Sequence, residues 1–120
     1  MGDIKLGVVE SRFADIIWNN EPLSSRELVD RAKEQLDWNK STTYTILRRL
    51  CERGIFVNEN GTVSSLISKD EFFAVQSEQF VDETFEGSLP AFIAAFTQRK
   101  KLTKSEIDEI QAMIDAARRE

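Results

Sequence analysis

Two short β-prone runs, Ile55–Asn58 and Thr62–Ile67, flank Glu59-Asn60-Gly61. An Asn-Gly step in that setting is the strongest short-range hairpin signal a sequence carries, because both turn residues must take positive φ. Everything around this hairpin reads as helix, so the chain must set one small β element among helices, three of them preceding it.

Upstream, Val9, Phe13, Ile16 and Ile17 share a face with Trp18 beside them, which predicts a helix from about Val9 to Asn19, ended by Asn19-Asn20-Glu21-Pro22. Ser24 and Glu27 stand at capping-box spacing and Leu23 and Leu28 at staple spacing, opening a second helix with a stripe of Leu28, Val29, Ala32 and Leu36. Asn39 caps a third helix that runs to about Arg53 and stops at Gly54, with Thr43, Ile46, Leu47 and Leu50 inward. Downstream, Ser68 and Glu71, stapled by Ile67 and Phe72, start a helix to about Thr84 with Phe73, Phe80 and Val81 on its stripe. Gly87-Ser88 breaks the chain before a helix entered through Pro90 and defined by Leu89, Phe92, Ile93 and Phe96. Thr103 and Glu106, stapled by Leu102 and Ile107, start a last helix with Ile107, Ile110, Ile114 and Ala117 on one face.

Several chemistries are closed to this chain. It has no histidine and one cysteine, Cys51. That removes Ser-His-Asp and Cys-His catalysis, a His-based or Cys-rich zinc site and an internal disulfide. No phosphate-binding loop is recognisable, so no enzyme, cofactor or metal is expected. Cys51, near the inner face of the third helix, reads as a structural thiol. No apolar run approaches the roughly 18 residues of a membrane span, and the N-terminus MGDIKLGVVE lacks an apolar leader core. The expected location is the cytoplasm.

Helix, helix, helix, hairpin is the order of a winged helix-turn-helix. The expected fold is mostly α with a small β-hairpin wing, with residues 1–67 as the winged helix and 68–120 as a helical dimerisation region. At 120 residues the chain is one small domain with an appendage. In such a fold the second helix of the helix-turn-helix pair, here the third helix of the chain, enters the major groove of DNA. With its apolar positions inward, Ser41, Thr45, Arg48 and Glu52 point out, flanked by Thr42, Tyr44 and Arg49. Hydroxyls can bond several base edges, and a Thr methyl can pack on thymine. Lys40, Arg48 and Arg49 supply charge for phosphates. The net charge is −5, but residues 1–64 carry 9 basic and 10 acidic groups against 7 and 11 in residues 65–120, so the acidity lies mainly in the second half. Phe73, Phe80, Phe85, Leu89, Phe92, Ile93, Phe96, Ile107, Ile110 and Ile114 are the candidate dimerisation residues. A symmetric dimer would offer two such helices to two half-sites.

The stretch Asp37-Trp38-Asn39-Lys40-Ser41-Thr42-Thr43-Tyr44-Thr45-Ile46-Leu47-Arg48-Arg49-Leu50, closing at Gly54, resembles the recognition segment of the penicillinase-repressor (BlaI/MecI/CopY) family. Glu10 through Trp18, Pro22-Leu23-Ser24 through Leu28, Phe80 through Phe96 and Leu102 through Ile114 resemble further parts of it, in order. The resemblance implies a homodimeric repressor on a dyad operator, with base contacts at Ser41, Thr42 and Thr45. It also implies control of an antibiotic- or stress-response operon and derepression by a regulatory protease cutting between Ala95 and Phe96. The chain departs from the family pattern in three places. Ala95 stands where the antibiotic-responsive members have asparagine. The C-terminal cysteine cluster of the copper-responsive branch is missing. The wing, Gly61-Thr62-Val63-Ser64-Ser65, has no arginine. Net charge and the wing keep a rival reading in view, a winged-helix protein-interaction module without specific DNA binding.

Overall fold

The computed structural model describes residues 6–120; the reading of the N-terminus as free of an apolar leader falls in part on residues 1–5, outside the described residues. In chain order the elements are α1 (Val8–Asn20), β1 (Leu23–Ser24), α2 (Ser25–Leu36), α3 (Lys40–Glu52), β2 (Phe56–Glu59), β3 (Thr62–Ser65), α4 (Lys69–Phe85), α5 (Leu89–Arg99) and α6 (Lys104–Arg118). The fold is the mostly helical winged helix expected. The chain divides into two compact units, and the division falls inside α4, after Ser77.

In the first unit, α1 turns Phe13, Ala14, Ile16 and Ile17 into the core. Val9, expected on that face, is 47% exposed in the first turn of α1, while Leu6 ahead of the helix packs against the core. The Ser24 hydroxyl caps α2 by accepting the Glu27 N–H at 3.0 Å. Only that half of the expected capping box is observed; the Glu27 carboxylate reaches forward to Arg31 at 3.3 Å instead. Leu28 and Ala32 bury. Asp37, in the left-handed region at φ 56°, turns the chain out of α2. The Asn39 carbonyl oxygen of the side chain then accepts the Thr42 N–H at 2.8 Å and starts α3. Thr43, Leu47 and Leu50 face the core, Thr43 returning its hydroxyl to the Asn39 carbonyl at 3.1 Å so that burial leaves its donor paired.

The hairpin forms where expected but is displaced. Ile55 is buried just ahead of β2, and β3 ends at Ser65, because the register pairs Phe56 with Ser65 and Glu59 with Thr62. Asn60 (φ 52°) and Gly61 (φ 85°) make the two-residue turn, the backbone that matches strand twist. The sheet also has a third strand that the sequence reading did not anticipate. β1 pairs antiparallel with β3, Leu23 opposite Val63, giving the order β1-β3-β2. Two residues carry no readable alternation, and they pair only because α1 and α2 bring them beside β3.

α4 starts at Ser68, whose hydroxyl accepts the Glu71 N–H at 3.1 Å. The stripe expected here gave the inward position to Phe73, but Phe72 is 1% exposed and Phe73 43%. Phe72 enters the core beside Trp18 at 5.4 Å between ring centroids, and Phe73 covers Trp18 from outside at 6.4 Å. The Trp18 indole N–H donates to the Ile67 carbonyl at 3.1 Å, and Lys69 pairs with Asp15 at 2.8 Å, so α1 anchors the start of α4.

In the second unit, Glu86 (φ 52°) and Gly87 (φ 81°) turn the chain and the Ser88 hydroxyl caps α5 by accepting the Ala91 N–H at 3.1 Å. Thr103 and Glu106 form the full reciprocal box on α6, at 2.8 and 3.1 Å. No residue of α5 or α6 is buried. Among the described residues, no helix is long and apolar enough to cross a membrane.

Candidate nucleic-acid interface

The outward face of α3 follows from its inward one. With Thr43, Leu47 and Leu50 buried, Ser41, Thr45 and Arg48 emerge on the opposite side at helical spacing, and Lys40 and Arg49 are exposed beside them. Thr42 and Tyr44 are half-buried at the flanks. The structure thus brings Lys40, Ser41, Thr42, Tyr44, Thr45, Arg48 and Arg49 onto one continuous surface. Among the described residues, none of Lys40, Arg48 and Arg49 lies within ion-pair distance of a carboxylate. Glu52 lies at the far end of this face and Asp30 lines the hollow beside Lys40, while the positive end of the α3 dipole adds to the charge at Lys40 and Ser41.

Two hollows border this face. One, of about 470 Å³, runs between α3 and β2 and is lined by Tyr44, Leu47, Arg48, Cys51, Phe56, Val57, Asn58 and Leu66. The other, of about 210 Å³, lies between α2 and α3, with Arg26, Val29, Asp30, Lys40 and Tyr44 around it. Cys51 is half-buried in the wall of the first. Burial pushes its thiol up from the ordinary value, outweighing the lowering effect of a hydrogen bond with the Asn58 backbone. A thiol held protonated is a weak nucleophile, in keeping with a structural role.

Ser25 and Arg26, in the first turn of α2, are not among the residues the sequence singles out, yet they border this face: Ser25 Oγ lies 3.3 Å from the Tyr44 hydroxyl and Arg26 lines the second hollow with Lys40. The signal available for them was their position just after the Ser24 cap, at the start of the helix paired with α3. The wing offers little positive charge. From Ile55 to Ser68 the one charged residue is Glu59, exposed where β2 enters the turn.

The dimerisation candidates separate into two groups. Phe73 belongs to the first unit and packs on Trp18 and Phe72. Phe80, Phe85 and Phe92 form a triangle of near-perpendicular rings with centroids 5.9, 5.9 and 5.6 Å apart, an arrangement aromatic quadrupoles favour. Phe96 stands 6.2 Å from Phe92. Leu89, Ile93, Phe96, Ile107, Ile110 and Ile114 are exposed, together with Met113. Ala95 and Phe96 lie inside α5, so their peptide bond is helical and the helix would have to open locally before a protease could hold the chain there. Among the described residues, no group of three or more Cys, Asp or Glu side chains could hold a metal ion.

Three helices, a three-stranded wing and an outward face of hydroxyls and exposed cations define the winged-helix class. The family model described as penicillinase repressor matches residues 6–116, and the chain belongs to that family of DNA-binding transcriptional repressors, which are regulators and not enzymes. Curated relatives include the methicillin resistance regulatory protein MecI of Staphylococcus aureus strain Mu50, 21% identical over 115 residues that cover 92% of this chain and 94% of the relative. The penicillinase repressor of Bacillus licheniformis is 22% identical over 110 residues, covering 88% and 86%. That of Staphylococcus aureus is 22% identical over 116 residues, covering 93% and 92%.

Proposed function

We propose that the chain acts as a homodimer in a bacterial cytosol and places one α3 in the major groove of each half of a dyad operator. The observation that carries this reading is the outward face of α3, where Ser41, Thr42 and Thr45 stand in the first half of the helix and Lys40, Arg48 and Arg49 are exposed and, among the described residues, in no ion pair. The hydroxyls suit base edges and the cations suit phosphates. Residues 68–120 supply the dimer contact, with α5 and α6 offering apolar side chains that no part of their own unit buries. The names of the relatives, a methicillin resistance regulator and penicillinase repressors, point to an antibiotic- or stress-response operon as the target. The rival reading, a partner-binding winged helix, draws on the net charge of −5 and on a wing without arginine.

The test is a titration of labelled duplex from the chain's own promoter region against a scrambled duplex, across a salt series. Specific, salt-dependent binding with two protomers per site is expected, and Thr45→Ala should lose about 1–3 kcal/mol of discrimination with the fold intact. Arg49→Ala should weaken both duplexes alike and flatten the salt slope by about one phosphate contact. Equal, negligible binding to both duplexes at low salt would favour the partner-binding module.

A further inference from the structure

We infer that Tyr44 is a positioning residue: through the Ser25 hydroxyl it sets the rotation of α3 relative to the wing turn, and with it the aim of the base-reading side chains. The inference rests on the repressor reading above and assigns Tyr44 a task other than touching DNA.

Three DNA-facing elements meet at Ser25. The Tyr44 hydroxyl donates to Ser25 Oγ at 3.3 Å, a half-buried link between α3 and the first turn of α2. The Ser25 N–H donates to the Gly61 carbonyl at 2.8 Å, joining the same turn to the wing. Gly61 sits at φ 85° and so close that a Cβ there would stand 3.9 Å from Ser25 Oγ. One serine thus takes a hydrogen bond from the candidate recognition helix and gives one to the tip of the hairpin.

Burial of Thr43, Leu47 and Leu50 decides which side of α3 faces out. Hydrophobic contact is non-directional, so it tolerates small residual rotations that a directional hydrogen bond at the edge of that buried face resists. Tyr44 lies three residues after Ser41 and four before Arg48, on the same stretch of helix surface. Tyr44 also lines both hollows, one with Lys40 and one with Arg48. A hydrogen bond at that point constrains rotation where the base-reading residues are. Such residues must be held to within about 0.5 Å and 10–20° by supporting contacts.

The experiment uses the full chain and the two duplexes already named, with Tyr44→Phe, Ser25→Ala and the double variant, and follows thermal unfolding alongside. Each single variant should bind the promoter duplex roughly three- to tenfold more weakly, the scale of one lost net hydrogen bond. Affinity for the scrambled duplex should hold, and the double variant should be no worse than either single one, because both remove the same link. A direct Tyr44–DNA contact predicts instead a neutral Ser25→Ala and an unaltered Tyr44→Phe effect in its background; that pattern, or no change in either single variant, overturns the inference. Wild-type protein that binds neither duplex would defeat the repressor reading alone. The junction is then read from amide exchange at Ser25 in the free protein. Faster exchange in Tyr44→Phe supports the link, and an unchanged rate removes it.

Discussion

Up to Ser77 the chain closes a core of its own. Phe13, Ile17, Leu28, Leu50, Phe56 and Phe72 come from five different elements and are almost wholly removed from solvent. From Glu78 onward no residue is buried, although Phe80, Leu89, Ile93, Phe96, Ile107, Ile110 and Ile114 are there to be covered. The difference is not one of composition, since both units carry abundant apolar side chains. It lies in how many layers each unit stacks: the first sets three helices, a sheet and the start of α4 around one centre, whereas the second has too few elements to enclose anything. An enclosed core makes a unit that can hold a recognition surface rigid. An unenclosed one leaves apolar area that a second copy of the chain would cover, as the proposed function requires.

This contrast can be broken experimentally. Phe56→Ala removes a fully buried ring from the first unit and should cost about 3–5 kcal/mol in denaturant unfolding, independent of protein concentration. Ile110→Asp places a carboxylate on the exposed face of α6. If that face is an interface, the change should weaken association by at least about 2 kcal/mol, because a charge would be desolvated there, and sedimentation should report a monomer. An unchanged mass together with a concentration-independent fall in Tm would show that the second unit is self-contained, and the contrast would fail. The smallest effect is local to α6. Hydrogen bonds from the Thr103 backbone and then its side chain hold the Glu106 carboxyl below its ordinary range. A depressed folded pKa means that the stabilisation is present above the unfolded value and is lost as pH falls through the lower, folded one. Backbone chemical shifts at Ser105–Ile107 should therefore move toward coil in acid, and Glu106→Gln should remove that dependence.

Much of the architecture was legible because its signals are local. Ser24, Asn39, Ser68 and Thr103 each accept a hydrogen bond from the N–H three residues on, at 3.0, 2.8, 3.1 and 3.1 Å, and such spacing can be read directly from residue types. The candidate reading face was legible for a related reason: once Leu47 and Leu50 are turned inward, the helical period decides where Ser41, Thr45 and Arg48 must point. Ser25 and Arg26 were not, since their nearness to α3 depends on how two helices cross.

The sequence by itself determined where helices begin, where the Asn60-Gly61 turn folds the wing back, and which side of α3 faces out. All of these depend on residues within a few positions of one another. Only the tertiary structure decided that Leu23-Ser24 becomes a third strand beside β3, that Phe72 rather than Phe73 enters the core, and that Tyr44 meets Ser25. Those outcomes depend on which distant surfaces come within reach. Adjacent phenylalanines have the same hydrophobicity, and a two-residue strand has no period to detect, so the choice passes to packing geometry, which no local pattern encodes.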